Sequence, residues 1–422
     1  MARETRTGGR EATTAVIPGK FAFSIGNPGH LAPDGFAWRP LSELARLESG
    51  HTPSRSKPEY WDGGIPWIGV RDATGNHGLT IADTLQHISQ LGLDNSSARL
   101  LPAGTVCLSR TASVGYVVTM GVPMATSQDF VNWVCGPELD NRYLHYLLMG
   151  EQASVQRVAY GSVHATMYYP DAKAVHVCVP SRRMQGEIAD VLRALDDKIA
   201  ANIRLATTVD KCLANRLEAL LKQWDGESVS LSEVALINPE KRSPIVEGHL
   251  RYIDIASVGV GSMEWPELQP WESAPSRARR GVAVGDVIWS TVRPNRRSHA
   301  LILDEDPDLV ASTGLAVIRA SGLPWGYLYE ALRRSSFTEH LEGAAEGSAY
   351  PAVKPEAFAR ASIPILDDTE VRSFGAEAQA LREHIGSLAR ESRTLRDLRD
   401  TLLPQLMLGK LRVREAAEMA GL

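Results

Sequence analysis

Two long stretches of this chain carry apolar residues at alternating steps of four and three. The first reads Ile188, Leu192, Leu195, Ile199, Asn202, Ala206, Val209, Leu213, Leu217, Leu220. The second reads Val371, Phe374, Ala378, Leu381, Ile385, Leu388, Ser392, Leu395, Leu398, Leu402, Leu406. On a helix this spacing draws one narrow seam, the coiled-coil pattern. About 40 residues at ~1.5 Å rise make a rod of ~60 Å, longer than a domain of this size needs for its own packing. The pattern therefore predicts that the two helices pair with each other rather than each on its own globule. They should run antiparallel, because the intervening segment must return the chain. Asn202 and Ser392 are polar seam positions, which either fix register or sit where the seam meets solvent.

Outside the seams the apolar runs are short and punctuated by Gly and Pro. Ile65–Val70, Thr105–Leu108, Tyr116–Val118 and Phe130–Val134 read as β segments, with a helical stretch near Asn141–Val158. A similar series follows in Tyr252–Ile255, Asp286–Trp289 and Leu315–Ile318. The expected fold class is α+β, with two pseudo-symmetric domains separated by two long helices that form an antiparallel coiled coil. The expected boundaries are a disordered arm at 1–35, a first domain at 36–180 and a central helix at 181–224. A second domain at 225–366, a C-terminal helix at 367–410 and a tail at 411–422 complete the chain.

The halves also repeat in their letters. Leu41-Ser42-Glu43-Leu44-Ala45 returns as Leu231-Ser232-Glu233-Val234-Ala235, and Gly104-Thr105-Val106-Cys107-Leu108-Ser109 as Gly285-Asp286-Val287-Ile288-Trp289-Ser290. Gly161-Ser162 returns as Gly347-Ser348, and Ile199 as Ile385. The matches keep their order at nearly constant offset, far beyond the ~20–50 residues of a solenoid repeat. Two similar surfaces in one chain suit a target that itself has two halves.

Composition is ordinary for a globular protein, with 44% hydrophobic and 23% charged residues over 422 positions. The net charge of −5 does not advertise nucleic-acid binding, although a whole-chain sum can hide a local patch. Cys107, Cys135, Cys178 and Cys212 show no C-x-x-C spacing, so buried thiols in a reduced cytoplasm are expected. No apolar run approaches the ~18 residues of a membrane helix, and no signal-peptide pattern opens the chain.

Three strings carry a resemblance. Ser49-Gly50-His51-Thr52-Pro53-Ser54-Arg55 is followed by Glu59-Tyr60-Trp61-Asp62-Gly63-Gly64-Ile65-Pro66-Trp67-Ile68. Gln185 through Ile199 opens the central helix, and Leu402-Leu403-Pro404-Gln405-Leu406-Met407-Leu408-Gly409-Lys410-Leu411 closes the second. In these the chain, from Trp38 to Val413, resembles the specificity subunit of type I DNA restriction–modification enzymes. The second half keeps only a vestige of the Y-W-x-G-x-I-P-W string, at Arg251-Tyr252-Ile253-Asp254-Ile255. The resemblance implies two target-recognition domains, each reading one half of a split double-stranded DNA site, with the helices as a ruler. It implies two methylation subunits and translocase–nuclease subunits as partners. S-adenosylmethionine, ATP and magnesium would belong to those partners, with no cofactor in this chain. Two major-groove faces on one side of B-DNA lie about one turn, ~34–36 Å, apart.

DNA affinity comes from cations on phosphates, and specificity from side chains at base edges. In the first domain the candidates are Thr52, Ser54, Arg55 and Lys57 in one loop, and Arg110, Thr111 and Ser113 after a strand. Gln128, able to pair bidentately with adenine, and the polar turn with Ser162 and His164 complete them. The turn returns in the second half with Ser348 and Tyr350. Between Trp271 and Ala300 stand six arginines, 277, 279, 280, 293, 296 and 297, against Glu272 and Asp286. Asn295 lies in the same loop, and Lys241 and Arg242 extend the patch.

Chemistry of its own is not expected. Asn27-Pro28-Gly29-His30 and Asn238-Pro239-Glu240-Lys241 lack the second proline and the aromatic residue of an adenine methyltransferase loop. There is no G-x-x-x-x-G-K-[ST] phosphate cradle and no H-E-x-x-H metal spacing. Pro170-Asp171-Ala172-Lys173 reads as a turn before a strand rather than a nuclease motif. The rival readings are a DNA-reading subunit of a methylation-only or related phage-defence complex, and a coiled-coil scaffold that does not bind DNA.

Overall fold

The short β segments assemble into the same four-strand core twice. The computed structural model describes residues 14–29, 32–159, 165–347 and 351–422. It divides into two units, Met1–Ile199 with Arg393–Leu422, and Ala200–Ser392. In the first unit Ala45–Ser49, Phe130–Cys135, Val106–Ser109 and Val117–Met120 lie side by side in that order, all antiparallel. In the second, Ala235–Ile237, Leu315–Ala320, Val287–Ser290 and His299–Leu301 repeat the order and the directions. Register agrees as well. Phe130 faces Ser109 and Trp133 faces Val106, while Leu315 faces Ser290 and Ile318 faces Val287. The inner strands Val106–Ser109 and Val287–Ser290 are wholly buried, which explains why they read as continuous apolar runs rather than alternating ones.

A parallel pair beside each core is also shared. Trp67 faces Ala125 and Ile68 faces Thr126 in the first unit; Tyr252 faces Val310 and Ile253 faces Ala311 in the second. The Arg251–Ile255 string thus occupies the place of the Pro-Trp-Ile end of the first unit's motif. Helices Asn141–Gly150 and Gln152–Arg157 cover the first core, Trp325–Leu332 and Ser335–Gly343 the second. Each first helix is tied by an equivalent tyrosine. Tyr143 donates to the Cys178 carbonyl at 3.1 Å, and Tyr327 to the Pro364 carbonyl at 2.8 Å.

The seams form two helices of 40 residues each, Arg182–Leu221 and Asp368–Met407. They pair antiparallel within each unit. In the first, Arg399 reaches Asp196 at 2.7 Å, and Leu402 and Leu406 share a core with Ile188, Leu192 and Leu195. In the second, Asn202 meets Ser392, Asp210 meets Arg382 and Glu377 meets Arg216, one number rising as the other falls. Ile188, Leu192, Leu195, Ile199, Leu213, Leu388 and Leu402 are buried, and Leu381, Ile385 and Leu395 half-buried. Asn202 and Ser392 are both buried, with the Asn202 amide donating to Ser392 Oγ at 3.3 Å and to Glu391 Oε2 at 2.7 Å. Facing each other in the seam, they favour the register role over the solvent one.

Three expectations are corrected. Within the arm at 1–35, Phe23–Ile25 is a buried strand paired with Val175–Pro180. The buried Glu151 carboxylate accepts from the N–H groups of Lys20, Phe21 and Ala22 at 2.6–2.8 Å. A three-residue strand is too short to show periodicity, and the strand Val175–Pro180 that builds it into the sheet lies about 150 residues away. The tail contains a helix, Val413–Ala420, whose Ala416 is buried in the first unit's core. Among the cysteines, Cys212 is exposed because it lies off the seam of its helix, whereas Cys107 and Cys178 are buried. No helix among the described residues is long and apolar enough to cross a membrane.

Candidate nucleic-acid interface

Three loops of the first unit converge beyond the ends of its core strands. The 50–57 loop is held by a close backbone approach. A Cβ on Gly50 would lie 2.0 Å from the Ser127 carbonyl oxygen and 2.1 Å from Thr126 Oγ1, so no larger residue fits. His51 N–H donates to the Thr126 carbonyl at 2.9 Å. This seats Thr52 against the 127–129 turn, where its hydroxyl donates to Gln128 Oε1. The third loop follows Val106–Ser109. Arg110 N–H donates to the Asp129 carbonyl at 2.7 Å, and Arg110 Nε to the Gln128 carbonyl at 3.1 Å. Thr52, Arg110 and Gln128 are thereby brought together from three places in the sequence.

Arg55 projects from the same loop over an aromatic pair. Its guanidinium lies 3.7 Å from the centre of the Trp61 ring and 5.2 Å from that of Trp67, and one Nη donates to Gln86 Oε1 at 3.0 Å. The two tryptophans meet edge to face at 5.2 Å. They serve as its support, a role not assigned from sequence although both stand in the quoted motif. Lys57 Nζ reaches the Tyr60 hydroxyl at 3.0 Å, and that hydrogen bond raises its pKa. Ser54 hydrogen-bonds Ser56 in an exposed turn. Thr111 bridges Thr166 on the next segment, and Ser113 offers its carbonyl to Ser109 Oγ. Ser162 and His164, like Ser348 and Tyr350, lie outside the described residues.

The second unit builds its loop on the same frame with other side chains. Thr291 N–H donates to the Gly314 carbonyl at 2.9 Å, as Arg110 does to Asp129. Val353 N–H then reaches the Thr291 carbonyl just as Met167 N–H reaches that of Arg110. The structural counterpart of Arg110 is therefore Thr291, and that of Arg293 is Ala112. Both of the latter adopt left-handed backbone, at φ 52° and 64°. Around this loop Lys241 bridges Arg280, Arg242 N–H donates to the Arg279 carbonyl, and Thr313 N–H to the Arg277 carbonyl. One cationic group thus gathers Lys241, Arg242, Arg277, Arg279 and Arg280. Burial lowers the Arg280 pKa, and Arg242 is partnered by Glu240 at 2.9 Å.

Asp286, one of the two acids in the patch, is buried and paired with Arg319 at 2.7 Å, so it does not cancel the surface charge. Asn295 and Arg296 are exposed. Arg297 turns inward instead, donating to the Arg333 carbonyl at 2.6 Å. Asn238 is also structural. Its backbone and side chain hold Val317 by two hydrogen bonds of 2.7 and 2.9 Å.

Residues 33–209 match the family described as the type I restriction modification DNA specificity domain. Over 407 residues the chain is 25% identical to the type I restriction enzyme MjaIX specificity subunit of Methanocaldococcus jannaschii, covering 89% of this chain and 93% of that one. A stretch of 94 residues is 34% identical to the EcoprrI specificity subunit of Escherichia coli, spanning 22% of this chain and 23% of that one. The S subunit of a type I restriction-modification system from M. genitalium has a similar fold, with a TM-score of 0.56 at 16% identity over 90% of this chain and 97% of the other. Residues 33–209 thus carry the type I restriction modification DNA specificity domain, and over nearly its whole length the chain is similar to specificity subunits of type I restriction enzymes.

Proposed function

We propose that this chain gives a type I restriction–modification complex its DNA sequence preference, each unit reading one half of a split site. The observation that carries this is the repeated register. Two cores with the same strand order present a polar loop cluster after the same strand, but with different side chains: Arg110 in one, Thr291 and the arginine group in the other. Equal frames with unequal contacts suit two half-sites of different sequence. The paired 40-residue helices, ~60 Å long, act as the ruler between the half-sites. Adenine methylation and cleavage come from partners, two methylation subunits holding S-adenosylmethionine and translocase–nuclease subunits using ATP and magnesium. This chain reads and does not catalyse.

The test is adenine-methylation mapping in cells carrying this chain with its methylation subunits. Methylated adenines in a split motif around a fixed gap, absent when the chain is deleted, are the expected result. A motif unchanged by the deletion would overturn the reading.

A further inference from the structure

We infer that Arg110 reads a guanine in the half-site of the first unit. This rests on the function proposed above and adds a base identity to one side chain. Arg110 is half-buried at the centre of the converged loops. Its backbone N–H is fixed on the Asp129 carbonyl and its Nε on the Gln128 carbonyl, so the residue is anchored at its main chain and its guanidinium is aimed by the Nε contact. Among the described residues, neither Nη has a hydrogen-bond or ion-pair partner. Asp129, whose charge acts on Arg110 without pairing with it, has its Oδ2 engaged by the Ser127 hydroxyl at 2.9 Å. The result is an oriented fork of N–H donors, part-stripped of water, whose two Nη lack an acceptor.

A planar pair of acceptors satisfies such a fork, and the guanine O6/N7 edge in the major groove supplies one. A phosphate is the other source of paired acceptors. Two observations favour the base. Arg110 sits at the centre of the cluster, beside a Gln128 amide that Thr52 orients, whereas the exposed Arg55 and Lys57 stand further along their loop and suit the backbone. The equivalent Thr291 folds its hydroxyl onto the Gly314 carbonyl at 2.9 Å and offers no fork, so the second half-site is not read this way.

The experiment measures methylation rates by the complex of wild-type, Arg110→Ala and Arg110→Lys chains on duplexes carrying each base at each position of the half-site. The wild type should require guanine at one position. Arg110→Ala should lose roughly 5- to 150-fold of discrimination there and keep every other preference. A wild-type half-site without a G·C pair would overturn the inference. So would a uniform fall in rate with an unchanged motif, the mark of a phosphate contact, or no change at all. If Arg110→Ala is inactive, 7-deazaguanine in duplexes given to the wild-type complex decides. A rate penalty at one guanine supports the reading, and none at any guanine overturns it. Absence of any chain-dependent split motif would instead defeat the function itself, which keeps the two failures distinct.

Discussion

Glu330 is the residue whose change should cost the second unit most per atom altered. It lies fully buried on helix Trp325–Leu332 and takes Arg382 Nε at 2.7 Å and Arg333 Nη1 at 2.8 Å. The same two arginines close a ring through Asp210, each at 2.6 Å. Two acids and two bases therefore balance where the recognition core meets both long helices. Glu330→Gln removes one charge without changing volume and turns an amide N–H₂ toward a guanidinium. It leaves two cations against Asp210 alone. Breaking a buried pair from one side costs about 3–5 kcal/mol. With Asp210 still bound to both arginines, the lower end, about 3 kcal/mol, is expected.

For a cooperative unit of this size that corresponds to a melting temperature lower by about 6–12 °C. Differential scanning calorimetry on the purified chain is the assay. Glu330→Leu with Arg382→Met removes one charge of each sign and leaves the Arg333–Asp210 pair in place. That double variant should melt closer to the wild type than the single one, since apolar replacement of a buried pair is often neutral. A single variant within about 1 °C of the wild type, or a double variant worse than the single, would refute the reasoning.

Acid should weaken both units. Burial pushes His145 and His299 down to about 4, so each stays neutral in the fold. Their stabilisation is complete above the unfolded value of ~6.5 and is lost as pH falls towards about 4, about 3 kcal/mol apiece. His145→Gln and His299→Phe should flatten that part of a stability–pH curve, and an unchanged slope would contradict it. Asp210 is held below the usual carboxylate range, because Arg333 and Arg382 outweigh its desolvation. Its contribution persists above ~4 and disappears below, so Asp210→Asn should destabilise at pH 7 but little at pH 2 in urea titrations. Gly50→Ala forces a Cβ into the Thr126–Ser127 backbone, at a cost of about 1–3 kcal/mol, and should degrade only the first half of a mapped motif. Seven residues inserted after Asn202 and seven before Ser392 should lengthen the gap by about three base pairs and leave both half-sites intact. Altered bases at constant spacing would sink the ruler.

The long helices were legible because their signal is local and periodic. Forty residues of four–three spacing can satisfy only one helical face, and neighbours along the chain are neighbours in space. The inner core strands were legible for a related reason, as buried apolar runs bounded by turns, whereas the edge strands Ala45–Ser49, Ala235–Ile237 and His299–Leu301 were too short or too polar to show; the repeat appeared because both halves solve the same packing problem. Arg110 and Gln128 could be named as candidates from residue type, but not as one cluster. Their union depends on a register between strands far apart in the chain, and on Gly50 letting two backbones touch.

Sequence by itself thus determined the helical seams, the paired architecture and the resemblance to type I specificity subunits. Tertiary structure alone decided that Asn202 meets Ser392, that Arg110 corresponds to Thr291 and that Arg297 faces inward. It also decided that Phe23–Ile25 and Val413–Ala420 belong to the first unit's core. The physical reason is range. Periodicity records which face of an element is buried, while the partner on that face, and every hydrogen bond made to it, is set only when distant segments close upon each other.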